Sequence, residues 1–194
     1  MIVKLENYGH DINPRQNFED GLAKLNLGCG KLVLPGFVNL DYIRHPGVNV
    51  ICNVEKEPLN KLFRPGTFDF IFMKDILEHL PHRAPRCDGE FLFHLIDELL
   101  EISKDGALWQ VVSPRHPIAL RSGGHTRLIS SATFDEYTDR LDRPSAEHRG
   151  TGLERVSSRN IIVWNIRDLS RFGRMVRTEV IMRVVKTNDG GHIE

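Results

Sequence analysis

Three cysteines, Cys29, Cys52 and Cys87, are an odd number without close spacing, which argues against a disulfide framework. No apolar run approaches the length of a membrane span, and the opening residues MIVKLENYGHD lack the basic-then-apolar layout of a signal peptide. The expected location is therefore cytoplasmic. Repeats, low-complexity tracts and a linker are all missing, so the 194 residues are read as one domain, 1–194. The formal net charge is zero, whereas a broad nucleic-acid footprint calls for a more basic chain; nucleic acid is a disfavoured partner that stays open. A Walker loop, G-x-x-x-x-G-K-[S/T], occurs nowhere. The dinucleotide fingerprint G-x-G-x-x-G, begun at Gly28, fails at Val33.

What is present is concentrated in residues 24–41. A short apolar run ends in Gly28-Cys29-Gly30, and a second ends in Asp41. Glycines at the C-terminal edge of a strand let backbone N–H groups approach a charged ligand. A carboxylate ending the next strand can accept hydrogen bonds from both hydroxyls of a ribose. The pairing points to a nucleoside-containing cofactor.

The pattern Leu25-Asn26-Leu27-Gly28-Cys29-Gly30 resembles the first cofactor-binding motif of the class I S-adenosylmethionine-dependent methyltransferases, a strand ending in L-x-L-G-x-G. A second block, FDFIFMKDILEHL at 68–80, resembles the family's strand-to-helix segment carrying Leu77-Glu78-His79-Leu80. The resemblance covers roughly residues 24–114. It implies a Rossmann-like α/β fold, S-adenosyl-L-methionine as cofactor, and contacts from Asn26, Gly28, Cys29, Gly30, Asp41, Tyr42, Asn53, Val54, Lys74, Asp75 and Ile76. Departures accompany it. The family often has an acidic residue where Asn26 stands, a third glycine where Leu32 stands, and an aspartate near Asn53 to bind the adenine amino group. An asparagine carbonyl makes that last bond more weakly.

Along the chain, Leu25–Leu27, Phe37–Leu40, Val48–Cys52, Phe68–Met73 and Ala107–Val112 read as strands. Only six residues separate Gly30 from Phe37, where a parallel crossover normally takes a dozen or more. Either the first helix shrinks to a turn or the strand assignment fails; the resembled family, whose small members can shorten this connection, favours a shortened first helix. Asp88–Ser103 reads as a helix with one apolar face, ended by Asp105-Gly106. Thr133 to Glu136 has capping-box form and opens another, and Arg143–Asn160 reads as a polar loop. Two final apolar runs, Ile161–Ile166 and Val180–Val185, suggest an antiparallel pair closing the sheet.

Asp75-x-x-Glu78 reads chiefly as a helix cap, while Lys74 and Asp75 stand where the strand tip meets the cofactor. His79 is either a general base or a hydrogen-bonded helix histidine. From Asp105 onward, fourteen Lys and Arg face eleven Asp and Glu, and thirteen of the fourteen are arginine. This is a solvated surface or a face toward an anionic acceptor. The stretch 113–127 gathers Arg115, His116, Arg121, His125 and Arg127 around Gly123-Gly124, as an exposed loop or a lid; 113–160 is expected to form the acceptor side. A metal reading of His79, His82 and Cys87 lacks a fourth ligand at recognisable spacing, so no metal is expected. The resulting expectation is methyl transfer to a small or medium polar or anionic acceptor, with His79 and His125 as candidate catalytic groups. The alternative is a non-catalytic relative acting as a binding or scaffolding subunit. Oligomeric state is not legible.

Overall fold

The computed structural model describes residues 22–114, 123–142, 151–164 and 174–186. Residues 1–21 lie outside these spans, as do Arg115, His116 and Arg121. The strands are β1 (Lys24–Leu27), β2 (Val38–Asp41), β3 (Val50–Ile51), β4 (Phe68–Lys74), β5 (Ser103–Pro114), β6 (Thr151–Trp164) and β7 (Arg174–Lys186). The helices are α1 (Leu59–Leu62), α2 (Phe91–Ile102) and α3 (Asp135–Asp142), with 3-10 turns at Leu77–His79 and Ser131–Phe134.

The strands form one sheet in the order β3-β2-β1-β4-β5-β7-β6. Pairs from β3 to β5 are parallel, and β7 runs antiparallel to both β5 and β6. This is the Rossmann-like α/β sheet with the expected antiparallel C-terminal pair. Its strand order reverses between β1 and β4, and a crevice outside the carboxyl ends of the strands at such a switch point is where open α/β sheets take their ligands. Leu25, Leu27, Ile71 and Met73, on the two central strands, are buried, as are Trp109 and Val111 on β5.

The β1–β2 crossover has no helix. It reduces to turns closed by Leu32 N–H on the Cys29 carbonyl (2.8 Å) and Phe37 N–H on Leu34 (3.3 Å). Three asparagines hold this loop. Asn26 donates its amide to the Leu32 carbonyl (2.7 Å) and to Asn39 Oδ1 (2.9 Å), and Asn49 Oδ1 accepts the Asn39 N–H (2.8 Å).

Helix α2 buries the expected face, Phe91, Leu92, Leu95, Ile96, Leu99, Leu100 and Ile102, against the sheet. It begins at Phe91 rather than Asp88, because Gly89 takes φ +88° and Glu90 is extended. It ends at Ile102, before the expected stop. Ser103 turns straight into β5 with its hydroxyl on the Leu99 carbonyl (2.6 Å), and Gly106 falls inside the strand where the β4–β5 register slips. Buried Glu98 binds the Arg86 guanidinium and accepts the Leu59 N–H (2.9 Å), tying α2 to α1 and to the chain before it.

Two further elements differ from their sequence pattern. Thr133 acts a turn earlier than its pattern suggests, its hydroxyl accepting the Ser130 N–H (3.0 Å) to close the 3-10 turn ahead of α3. Of the polar loop expected over 143–160, residues 151–160 are strand, and 143–150 lie outside the described spans. β6 is the sheet edge, so its solvated residues Glu154, Arg155 and Ser158 read as loop in sequence, and a bulge between Arg155 and Ser157 breaks the alternation further. Among the described residues no helix is long and apolar enough to cross a membrane.

Candidate functional site

The tips of β1 and β4 meet at Gly28 and Ile76. Gly28 has φ +64°, and a Cβ there would stand 2.2 Å from the Ile76 Cδ1. Gly30, at φ +51°, faces open space, with nothing within 4 Å of a built Cβ. Its N–H is not free for a ligand: it donates to Asp41 Oδ2 (2.7 Å), while the Ile43 N–H donates to Oδ1 (2.9 Å). Asp41 is thus a buried, doubly anchored carboxylate at the tip of β2. Burial, reinforced by the Asp41 charge, pushes the Cys29 thiol up to about 11, so it is no nucleophile at neutral pH.

Asn26 stands under this loop with its amide committed to it and only 1% exposed. Tyr42 is exposed beside Asp41. Asn53 spends its side-chain carbonyl on the Glu55 N–H (2.9 Å), and buried Val54 gives its carbonyl to Arg86 Nε (2.7 Å). The Cys52 N–H on the Asp41 carbonyl (3.0 Å) holds this second wall beside the first.

At the tip of β4, Asp75 is the one described non-glycine residue with positive φ, +53°. Its Oδ2 pairs with Lys74 Nζ (2.8 Å) and Arg177 of β7 (3.2 Å), while Oδ1 is buried without a hydrogen-bond partner. The capping role expected of Asp75 and Glu78 does not form. The expected helix is a single 3-10 turn, Leu77–His79, which has no side-chain cap. Glu78 instead points inward and is fully buried. Its Oε2 accepts the Ser113 hydroxyl (3.2 Å), its Oε1 has no partner, and burial raises its carboxyl above the usual range.

The segment 123–127 is stitched onto this turn. Gly124 receives His79 Nδ1–H (3.0 Å), and Thr126 N–H donates to the Glu78 carbonyl (2.8 Å). Arg127, read as part of an exposed loop or a lid, is half-buried and bound to Glu90 (2.5 Å) and to the Leu80 and Pro81 carbonyls (3.0 and 2.7 Å). The stitching also brings His125 to His79, ring centroids 4.6 Å apart and nearly perpendicular. Glu78, His79 and His125 place their ligating atoms within 4.8 Å of one another. His82, weighed with His79 as a ligand, is turned away onto Glu90 (3.0 Å) and the Thr126 carbonyl (3.1 Å). Sequence reasoning missed Arg177, which reaches the site from β7 with no local motif, and did not single out Ser113 and Thr126 within the stretch 113–127.

No protein-family model matches the chain, and no curated protein matches it. Solved structures do. A SAM-dependent methyltransferase from Archaeoglobus fulgidus is 15% identical, with 82% of this chain and 85% of that one aligned at a TM-score of 0.51. The N-methyltransferase NodS from Bradyrhizobium japonicum, in complex with S-adenosylhomocysteine, is 14% identical over 82% of this chain and 76% of that one, TM-score 0.52. A 16S rRNA (adenine(1408)-N(1))-methyltransferase from Catenulisporales acidiphilia is 11% identical over 93% and 95%, TM-score 0.51. The fold they share with this chain is the class I methyltransferase fold.

Proposed function

We propose that this chain, folded as a class I methyltransferase, transfers a methyl group from S-adenosyl-L-methionine to a polar or anionic acceptor of small or medium size. The observation that carries the reading is Asp41, a buried carboxylate fixed at the tip of β2 and facing the glycine loop at the strand-order switch. In this reading Asp41 takes the ribose hydroxyls, with Tyr42, Asn53 and Val54 around the base and Gly28, Cys29 and Gly30 beneath the chain of the cofactor. Asn26 holds the loop from below.

Two features of the site fit the group. Gly30 opens on empty space, and the partnerless Oδ1 of Asp75 offers an anion to an amino acid's ammonium beside Lys74 and Ile76. The cofactor supplies an already activated sulfonium methyl, which leaves the protein mainly to align the acceptor and exclude water. His79 and His125 are the groups offered as proton acceptors if the nucleophile is an oxygen. The arginine-rich second half supports an anionic acceptor.

Calorimetry with S-adenosylhomocysteine tests this. Micromolar binding that is lost in Asp41→Ala, with both proteins folded by circular dichroism, is the expected result. No binding by the folded wild type overturns it.

A further inference from the structure

We propose that Glu78, His79 and His125 form a binding site for a borderline divalent metal ion of the zinc type. This goes beyond the methyl-transfer reading and does not depend on it; with the ion bound, His79 and His125 act as its ligands and no longer as proton acceptors. Two imidazole nitrogens and one carboxylate oxygen, with donor atoms all within 4.8 Å, are a three-ligand set of the kind that leaves further coordination positions open. Nitrogen donors in the majority favour zinc, cobalt or nickel over magnesium, calcium and manganese.

Three independent features mark the cluster as built. Glu78 is fully buried, yet its Oε1 has no hydrogen-bond partner. An orphaned buried carboxylate oxygen is costly, and a cation relieves that cost directly. Second, His79 donates Nδ1–H to the Gly124 carbonyl at 3.0 Å. That bond fixes the ring and its tautomer and turns Nε2 into the lone-pair donor, as ligating histidines are commonly oriented. Third, the carboxylate is itself held from behind. Ser113 donates to its Oε2 at 3.2 Å, and Thr126 N–H donates to the Glu78 backbone carbonyl at 2.8 Å. The turn 124–126 therefore fixes one ligand, carries another and anchors the 3-10 turn bearing the third. His79 is exposed, so the open positions face solvent, where an oxygen of an acceptor can enter.

The test uses untagged full-length protein, stripped with a chelator and re-equilibrated with zinc, cobalt(II) or magnesium. The expected result is one equivalent of zinc retained after desalting and a visible d–d band with cobalt. Both are weakened at least tenfold in His125→Ala, and S-adenosylhomocysteine affinity is unchanged. Glu78→Gln should behave alike; if it does not fold, His79→Ala, altering an exposed residue, takes its place. His82→Ala, outside the cluster, should keep the metal. The proposal is overturned if the wild type retains no metal, if His125→Ala binds as tightly as wild type, if His82→Ala loses as much, or if magnesium alone is taken up. Failure here leaves cofactor binding intact, and failure of the cofactor experiment leaves metal uptake intact.

Discussion

Asp41 accepts the Gly30 backbone N–H at 2.7 Å, so the last residue of β2 holds the second glycine of the loop that follows β1. The same carboxylate accepts the Ile43 N–H, and the two tasks can be separated by substitution. Asp41→Asn keeps one acceptor and removes the charge. It should weaken S-adenosylhomocysteine binding about ten- to hundredfold, the equivalent of a charged hydrogen bond of ~1.5–3 kcal/mol. Asp41→Ala should also lower unfolding stability by ~1–3 kcal/mol, because two backbone donors lose their acceptor. Calorimetry and urea unfolding read the two effects.

Gly28 and Gly30 should fail differently. Gly28→Ala drives a methyl to 2.2 Å from the Ile76 Cδ1 on top of a left-handed backbone, and should cost about 3 kcal/mol or more. Gly30→Ala meets nothing within 4 Å and bears the backbone term alone, ~1–2 kcal/mol. Adding Ile76→Ala should recover part of the loss in Gly28→Ala and none in Gly30→Ala. Equal rescue of both would contradict the packing described.

The Arg86–Glu98 pair should behave as a buried clamp. Arg86→Met strands a buried carboxylate between α1 and α2, and the expected loss is ~3–5 kcal/mol. Replacing both as Arg86→Met with Glu98→Leu should recover much of it. Thermal unfolding of the three variants decides.

Thiol chemistry offers an independent check on burial. Burial holds Cys29 up at about 11 and Cys52 up at about 12, so at pH 8 about one Cys29 in a thousand is thiolate and fewer still for Cys52. Half-buried Cys87 should react first with a disulfide reagent, and the other two only on addition of denaturant. Three fast thiols in the native protein would be incompatible with this packing.

Glu90 predicts an acid-side dependence. Partial burial pushes its carboxyl up, but the hydrogen bonds from His82 and Arg127 win and hold it below its ordinary 4.5. The unfolded chain then binds the proton more readily. The stabilisation is complete above about pH 4.5 and is lost as the pH falls through the lower native value. Glu90→Gln should melt earlier at neutral pH and lose less on acidification. A melting profile against pH with the wild-type slope would argue otherwise.

Much of the parallel half is legible in sequence, because buried strands are short apolar runs and the turns after them need glycine. Leu25 and Leu27, Val38 and Leu40, and the 3.6-period face of α2 all follow from local pattern. β6 does not, since an edge strand keeps the polarity of a loop. Asp75 and Glu78 mislead for a related reason: a capping pattern has meaning only if a helix follows, and Pro81 allows no more than a turn. The pairing of His79 with His125 depends on how 123–127 folds back, which no local spacing encodes. Arg127 illustrates the same gap, its partner Glu90 lying on the far side of a turn that had first to form.

The position of β7 bears on how the protein is made. It lies between β5 and β6, although both precede it in the chain. A ribosome that has released β5 must add the sixty residues from 115 to 174 before β7 begins to appear, roughly 3–12 s at ~5–20 residues per second. Through that interval the Leu108–Pro114 edge, later covered by β7, offers open backbone donors and acceptors to any neighbouring strand. The nascent chain therefore passes through a window of self-association that the finished protein has closed, and a holdase engaging β5 would act there.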